Sequence, residues 1–567
     1  MYSVINTAVI RGMNSVVVQV EADVCDGLPA FEMVGVPASE VREAKERVRS
    51  ALRCLGYRLP PKKVTVNLCP ADIPKRGTGF DLPIALAVLA AYGLLESPRL
   101  AGTLFAGEIT LRGRLQGIRG ILPMALEAQR AGFLRMVVPA DNVQEAGLAK
   151  KITVLPAEEL GQVLGWLKGE GSLSPRQGEA RTIIEESAQP EADFAELKGQ
   201  KLLRKACEVA AAGRHNLLMS GPPGSGKTMA ARAIAGILPG LGEEEQMELA
   251  GIYSVSGMFD QLKQGGSCRP FRSPHYSITR TALIGGGKIP QPGEISLAHK
   301  GVLFLDELTE FQRPVLEQLR QPLEEREVRL VRLGGTYTYP ADFMLVAAMN
   351  PCSCGYYPDR NRCSCSPTQI RQHLQKVSRP FLDRMDLTVE VPRLSVEELT
   401  HSYTGEAPGR KQAMPEEASC AVGAMPEEAS CAVGAMPEEA SCAVGAMPEE
   451  ASCTVGAMPE EASCTIRARV EEAHRLQRDR YRGESFLYNS RVPSGLLEQY
   501  CPMEPKARRL LGLSYDSLGL TARSYHRLIR VARTVADLAR SETIGEEHMM
   551  EALLYRSMGD GLWRGLP

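Results

Sequence analysis

The segment that most constrains this chain is GPPGSGKT, residues 221–228, set between the apolar run 216–219 and the stretch MAARAIAGIL. It fits the phosphate-loop pattern GxxxxGK[ST] in full, and a strand before it with a helix after it is the context that pattern requires. Glycines let backbone N–H groups curl around phosphates, and the following helix adds its positive N-terminal end. Gly221, Pro222, Pro223, Gly224, Ser225 and Gly226 are therefore expected to cradle the phosphates of ATP. Lys227 would reach the β- and γ-phosphates, and Thr228 would ligate Mg²⁺.

A second buried-strand pattern, GVLFL, ends at Asp306 and Glu307. Ligand sites in α/β sheets form at the carboxyl ends of strands, so Asp306 is expected to hold Mg²⁺ and Glu307 to polarise the attacking water as general base. An acidic helix cap is the alternative for this pair taken alone. A third apolar run, FMLVAAM, ends at Asn350, placed to orient that water or sense the γ-phosphate. These runs predict an α/β core with a parallel sheet.

Directly after Asn350 come Cys352, Cys354, Cys363 and Cys365. Four thiolates within so short a stretch suit a closed, structural Zn²⁺ site, with Gly355 and Pro358 letting the loop turn back. Four reduced thiols on a surface loop are the alternative. The chain holds 15 cysteines. Its first residues carry no basic segment followed by an apolar core, and the apolar run 84–95 is too short to span a bilayer, so a cytoplasmic, reducing setting without membrane contact is expected. The net charge of −2 does not announce a nucleic-acid binder.

Length and composition breaks predict several domains across the 567 residues. Residues 1–168 mix alternating strands such as VVVQVEADV with helical runs such as LPIALAVLAAY and read as an α+β domain. Residues 169–192, rich in Gly, Ser, Glu and Gln, read as a linker, and 193–392 as the nucleotide-binding core. An 11-residue unit, AMPEEASCAVG, recurs five times across 413–466 with minor drift. A proline in every unit interrupts any helix, so this reads as a flexible insertion. Residues 467–567 have the periodicity of a small helical bundle.

The stretches KGQKLLRKACEVAAAGRHNLLMSGPPGSGKT, SPHYSITRTALIGGGKIPQPGEISLAHKGVLFLDEL, MNPCSCGYY and RPFLDRMDL resemble the YifB/ComM family of magnesium-chelatase-like AAA+ proteins. The resemblance implies an AAA+ core, a helical lid, and a hexameric ring in which Arg384 is the arginine finger presented to a neighbour's ATP. It also matches Arg523 to the sensor arginine of the lid; a solvated helix arginine beside Arg527, Arg530 and Arg533 is the alternative. The implied activity is an ATP-driven motor migrating single-stranded or branched DNA in recombination or natural transformation. A chelatase-type protein-remodelling ATPase is the other reading. Residues 62, 63, 75 and 76 (Lys, Lys, Lys, Arg) form only a modest basic patch.

The segment GEITLRGRLQGIRGILPMALEAQRAG, residues 107–132, with PKRGTGFDLPIAL before it, resembles the proteolytic domain of Lon protease, of the ribosomal S5-like fold. That chemistry needs a serine activated by a lysine. The family pattern puts these at Gly79 and Leu122, so a binding or assembly module is expected here rather than a peptidase.

Overall fold

The computed structural model describes residues 2–176, 192–264, 269–287, 290–332, 335–393, 461–517 and 520–564. The linker residues 177–191, the repeat residues 413–460 and the tail 565–567 lie outside the described residues.

The N-terminal unit is a seven-stranded mixed sheet. Its spatial order is Ala30–Val34, Lys63–Cys69, Asn14–Cys25, Tyr2–Arg11, Thr103–Phe105, Arg135–Pro139 and Thr153–Ala157. The first two long strands pair antiparallel in full register, from Tyr2 opposite Asp23 to Arg11 opposite Asn14. Helix Asp81–Ala91 is apolar on all sides and almost wholly buried against them. Asp81 is fully buried at its start, where Arg47 grips both carboxylate oxygens at 2.6 and 2.8 Å.

The second unit is built on a five-stranded parallel sheet, ordered Phe271–Arg272, Val302–Leu305, Met344–Met349, Leu217–Ser220 and Leu387–Glu390. The interior strands Val302–Leu305, Met344–Met349 and Leu217–Ser220 are buried at every position, which is why they read as continuous apolar runs rather than alternating ones. Asn216 fixes the base of this sheet: its Oδ1 accepts from Leu345 N–H, its Nδ2 donates to Arg384 O, and its own N–H donates to Asp386 Oδ2.

The lid helices Ser463–Arg480, Pro505–Ser517, Ala522–Leu538 and Glu546–Arg564 do not form a separate bundle. Their apolar faces merge with helices Lys201–Gly213 and Lys227–Ile237 and with the sheet into one hydrophobic core. Polar groups stitch the same seam, with His474 Nε2 against Ala211 O at 3.0 Å and Gln477 Nε2 donating to Ala212 O at 2.9 Å. The N-terminal unit docks through helix Ile121–Arg130 onto helix Glu243–Ser256, where Leu122 and Leu148 bury against Ala250 and Phe259.

Two expected boundaries move. The start of the linker, 169–176, belongs to the N-terminal unit, because Leu173 is buried there and Arg176 N–H donates to Val154 O at 3.0 Å. The lid begins at 463 rather than 467, inside the fifth repeat. Ser463 N–H and Oγ both meet the 193–194 turn, Glu461 pairs with Arg469, and Ile466 is buried. The basic patch also dissolves: Lys75 is buried and donates to Pro70 O, while Lys62 and Lys63 pair with Asp26 and Glu32.

The contacts of the fifth unit with the 193–194 turn and with Arg469 stay in place when 413–456 is removed. Removing 413–456 is therefore expected to leave the thermal midpoint unchanged, whereas removing 413–466 costs about 3 kcal/mol or more through the lost cap and the buried Ile466. Equal denaturation curves for the two deletions would show that the fifth unit is not structural.

Candidate active site

Helix Lys227–Ile237 starts inside the loop, after Gly226, whose φ of +91° suits only glycine without strain. Lys227 Nζ donates to Gly221 O and Pro222 O, both at 2.7 Å, and faces Asn350 Oδ1 at 3.5 Å. Burial pushes this ammonium down to about 8, against the pull of Asp306. Ser225 Oγ ties the loop to Pro222 O at 2.9 Å.

The acidic strand Val302–Leu305 delivers Asp306 opposite the helix start. Thr228 Oγ1 donates to Asp306 Oδ2 at 2.8 Å, so two hard oxygens meet beside the loop, a donor set that fits Mg²⁺. Asp306 Oδ1 accepts from Glu307 N–H at 2.9 Å. Glu307 itself is exposed and left-handed, with φ of +52°, a conformation that costs a non-glycine residue energy and recurs at functional turns. The structure thus gathers Lys227, Thr228, Asp306, Glu307 and Asn350 at the carboxyl ends of three neighbouring strands.

The four cysteines converge. Their Sγ atoms all lie within 4.8 Å of one another, with Cys352 at 3.3 Å from Cys354 and 3.8 Å from Cys363. A tetrahedral Zn²⁺ with bonds of about 2.3 Å has sulfur–sulfur edges of about 3.8 Å, so the tetrad fits that ion. The Tyr356 backbone N–H holds the Cys354 thiol down to about 6, while burial pushes Cys352 up to about 12. This loop sits on the phosphate loop: Gly355 has φ of +87°, and a Cβ there would lie 2.8 Å from Pro223 Cδ. His373, from the helix Pro367–Leu374 that follows, places Nε2 at 3.2 Å from Asn350 O.

Arg384 and Arg523 are not brought to this group. Both bind Glu324 Oε1, at 2.6 and 3.0 Å. The Arg384 backbone is held by Asn216, at the start of the strand whose far end carries the loop. That strand, Leu217–Ser220, separates them by about 13 Å at about 3.3 Å per residue. Two neighbouring lid arginines are withdrawn from solvent: Arg533 is fully buried on Asp537, and Arg527 pairs with Asp386 at 3.4 Å. Glu324, which organises the pair, carries no local sequence signal.

In the N-terminal unit, Leu122 is buried in the docking seam and Gly79 lines a cavity of about 530 Å³ shared with Val255 and Tyr337 of the core. A side chain at Gly79 would meet Ile118 Cδ1 at 2.8 Å. No described helix is long and apolar enough to cross a membrane.

Burial holds Lys227 near 8, so a nucleotide whose phosphates sit on it would raise it again and take up a proton above that pH. The association constant is expected to fall as pH rises through 8, towards tenfold per unit. Titration calorimetry between pH 7 and 9.5 measures this, and an affinity flat across that range contradicts the assignment of Lys227 to the phosphates.

Three family profiles match the chain: "Magnesium chelatase, subunit ChlI" over 193–399, "Subunit ChlI of Mg-chelatase" over 20–142, and "Magnesium chelatase, subunit ChlI C-terminal" over 460–556. YifB of Salmonella typhimurium is 38% identical over 560 residues, covering 98% of this chain and 97% of its own. Competence protein ComM of Haemophilus influenzae is 37% identical over 555 residues, 96% of each. Lon protease 2 of Herpetosiphon aurantiacus is 27% identical over 160 residues, 26% of this chain and 19% of that protein. With the phosphate loop, acidic pair and polar strand end assembled on one parallel sheet, this chain belongs to the YifB/ComM family of magnesium-chelatase-like AAA+ ATPases.

Proposed function

We propose that this protein is an ATP-hydrolysing ring motor that works on single-stranded or branched DNA. The observation that carries the hydrolytic part is the 2.8 Å contact of Thr228 with Asp306 beside Lys227 and Asn350. The DNA part rests on full-length similarity to a protein named for competence.

Lys227 and the loop amides bind and orient the phosphates, while Thr228 and Asp306 hold Mg²⁺, which when bound neutralises charge on the β- and γ-oxygens. Glu307 accepts the proton of the attacking water, and Asn350 positions that water. Arg384 lies a full strand length from its own loop, so any nucleotide it serves belongs to a neighbouring copy, which supports a closed ring, a hexamer. Arg523 shares Glu324 with it and takes part at the same face. The cysteine tetrad would hold one structural Zn²⁺, which would stiffen the loop next to Asn350.

Steady-state hydrolysis, measured alone, with single-stranded DNA and with a four-way junction, tests the motor. Strong stimulation by DNA is expected; turnover indifferent to DNA would move the reading to a protein remodeller of the chelatase type. Lys227→Ala is expected to abolish turnover, and Glu307→Gln to bind ATP yet hydrolyse it 10²–10⁴-fold more slowly, roughly the worth of a general base. Normal rates in either variant would remove these residues from the site. Metal analysis should find about one zinc per chain, lost in the Cys352→Ser, Cys363→Ser double variant. A folded wild-type protein with no metal would leave the tetrad as plain thiols.

A further inference from the structure

The base of the ATPase sheet, opposite the phosphate loop, holds a second cavity of about 440 Å³ between the strand starts and lid helix Ala522–Leu538. Six arginines line it: Arg214, Arg326, Arg491, Arg523, Arg527 and Arg530. Only two acids, Glu324 and Asp386, share the lining, and both are already engaged. Glu324 holds Arg384 and Arg523; Asp386 accepts from Asn216 N–H and pairs with Arg527. Asp342 lies nearby, but bonds to Lys300 and Arg491.

Two of the guanidiniums are left over. Arg214 is 2% exposed and sits in the left-handed conformation at the end of helix Lys201–Gly213. It stacks over the Tyr488 ring at 5.1 Å, yet none of its three side-chain nitrogens has a hydrogen-bond acceptor among the described residues. Arg326, half-buried and also left-handed, has no side-chain ion pair among the described residues. Burial, then Arg491, push its guanidinium down to about 10. A buried cation without acceptors is costly to keep, and a planar guanidinium is the group best matched to bidentate oxyanions.

We propose that this cavity is a binding site for a small multivalent phosphate ligand, held by Arg214 at its floor and Arg326 at its wall. The shared chemistry is a phosphate chain, whether free in solution or carried by a nucleotide. The site is separate from the phosphate loop and does not depend on the reading of that loop. Because its walls come from both core and lid, such a ligand would pin the two together. Arg523, with 53% of its side chain exposed, lies at the rim rather than the floor.

The test uses the full chain carrying Lys227→Ala, so that the phosphate loop does not contribute, with pyrophosphate as the probe at low ionic strength. Saturable binding by calorimetry and a raised thermal midpoint are expected. Adding Arg214→Met or Arg326→Met should weaken that binding roughly tenfold or more, the worth of a charge-assisted contact. Phosphate, ADP and ATP then distinguish the sources: tenfold tighter binding of a nucleotide than of pyrophosphate assigns the site to a nucleotide, and equal binding assigns it to the free anion. Three outcomes would overturn the proposal. These are no pyrophosphate binding to the Lys227→Ala chain, binding unchanged in both arginine variants, and displacement of bound pyrophosphate by stoichiometric duplex DNA, which would make the site a nucleic-acid contact.

Discussion

Asn216 sits at one residue before the strand that carries the phosphate loop, and its amide and backbone bind the starts of the strands on either side. A parallel sheet has no hairpins to set its register, so the alignment of Leu217–Ser220 with Met344–Met349 and Leu387–Glu390 must be specified elsewhere. Here one short polar side chain does it at the base. Leu217 is thereby level with Val346 and Leu387, and the far ends of the strands finish together. Lys227 and Asn350 meet because of that alignment. Losing the amide would leave Leu345 N–H and Arg384 O without these partners, at up to about 1–3 kcal/mol for each group.

The sheet separates two kinds of electrostatics along a single strand. At its carboxyl end, the loop amides and Lys227 face Asp306 and Glu307. At its base, carboxylates are rare and arginines dense. Asp386 is largely shielded, with 12% of its side chain exposed, yet Arg527, His215 and the Asn216 N–H hold it well below the usual carboxylate range. Asp342 is held down in the same way by Arg214 and Arg491. Since the lid contributes Arg491 and Arg527 while the core contributes the acids, these pairs lock the lid to the sheet in addition to the shared apolar core.

What was legible in the chain was whatever is encoded locally. The phosphate loop, the acid pair after GVLFL and the asparagine after FMLVAAM are each a short run with its chemistry attached, and the strands lie where their apolar content puts them. The cysteines were legible for the same reason: four ligands within one loop need no tertiary knowledge to be grouped. Asn216, Glu324 and Arg214 were not, because their partners lie a hundred or more residues away in most cases and only the strand order brings them near. A solvated helix face was the alternative weighed for the lid arginines, and Arg533 departs from it because a partner one turn along the same helix, Asp537, buries it. The start of the lid was misplaced because the fifth unit shares its letters with the repeat, and composition therefore assigns it to the insertion rather than to the helix Ser463–Arg480.

The contact of Gly355 with Pro223 has a thermodynamic consequence. It makes the backbone of the cysteine loop one wall of the phosphate cradle, with Asn350 between them on the same chain segment. Two sites that share a wall cannot bind independently unless that wall is indifferent to both occupants. Whatever free energy a metal ion gains or loses when the cradle fills, a nucleotide gains or loses in equal measure when the sulfurs are metallated. The absence of a side chain at Gly355 thus makes the cysteine loop and the phosphate cradle neighbours, so that occupancy of either one would be felt at the other.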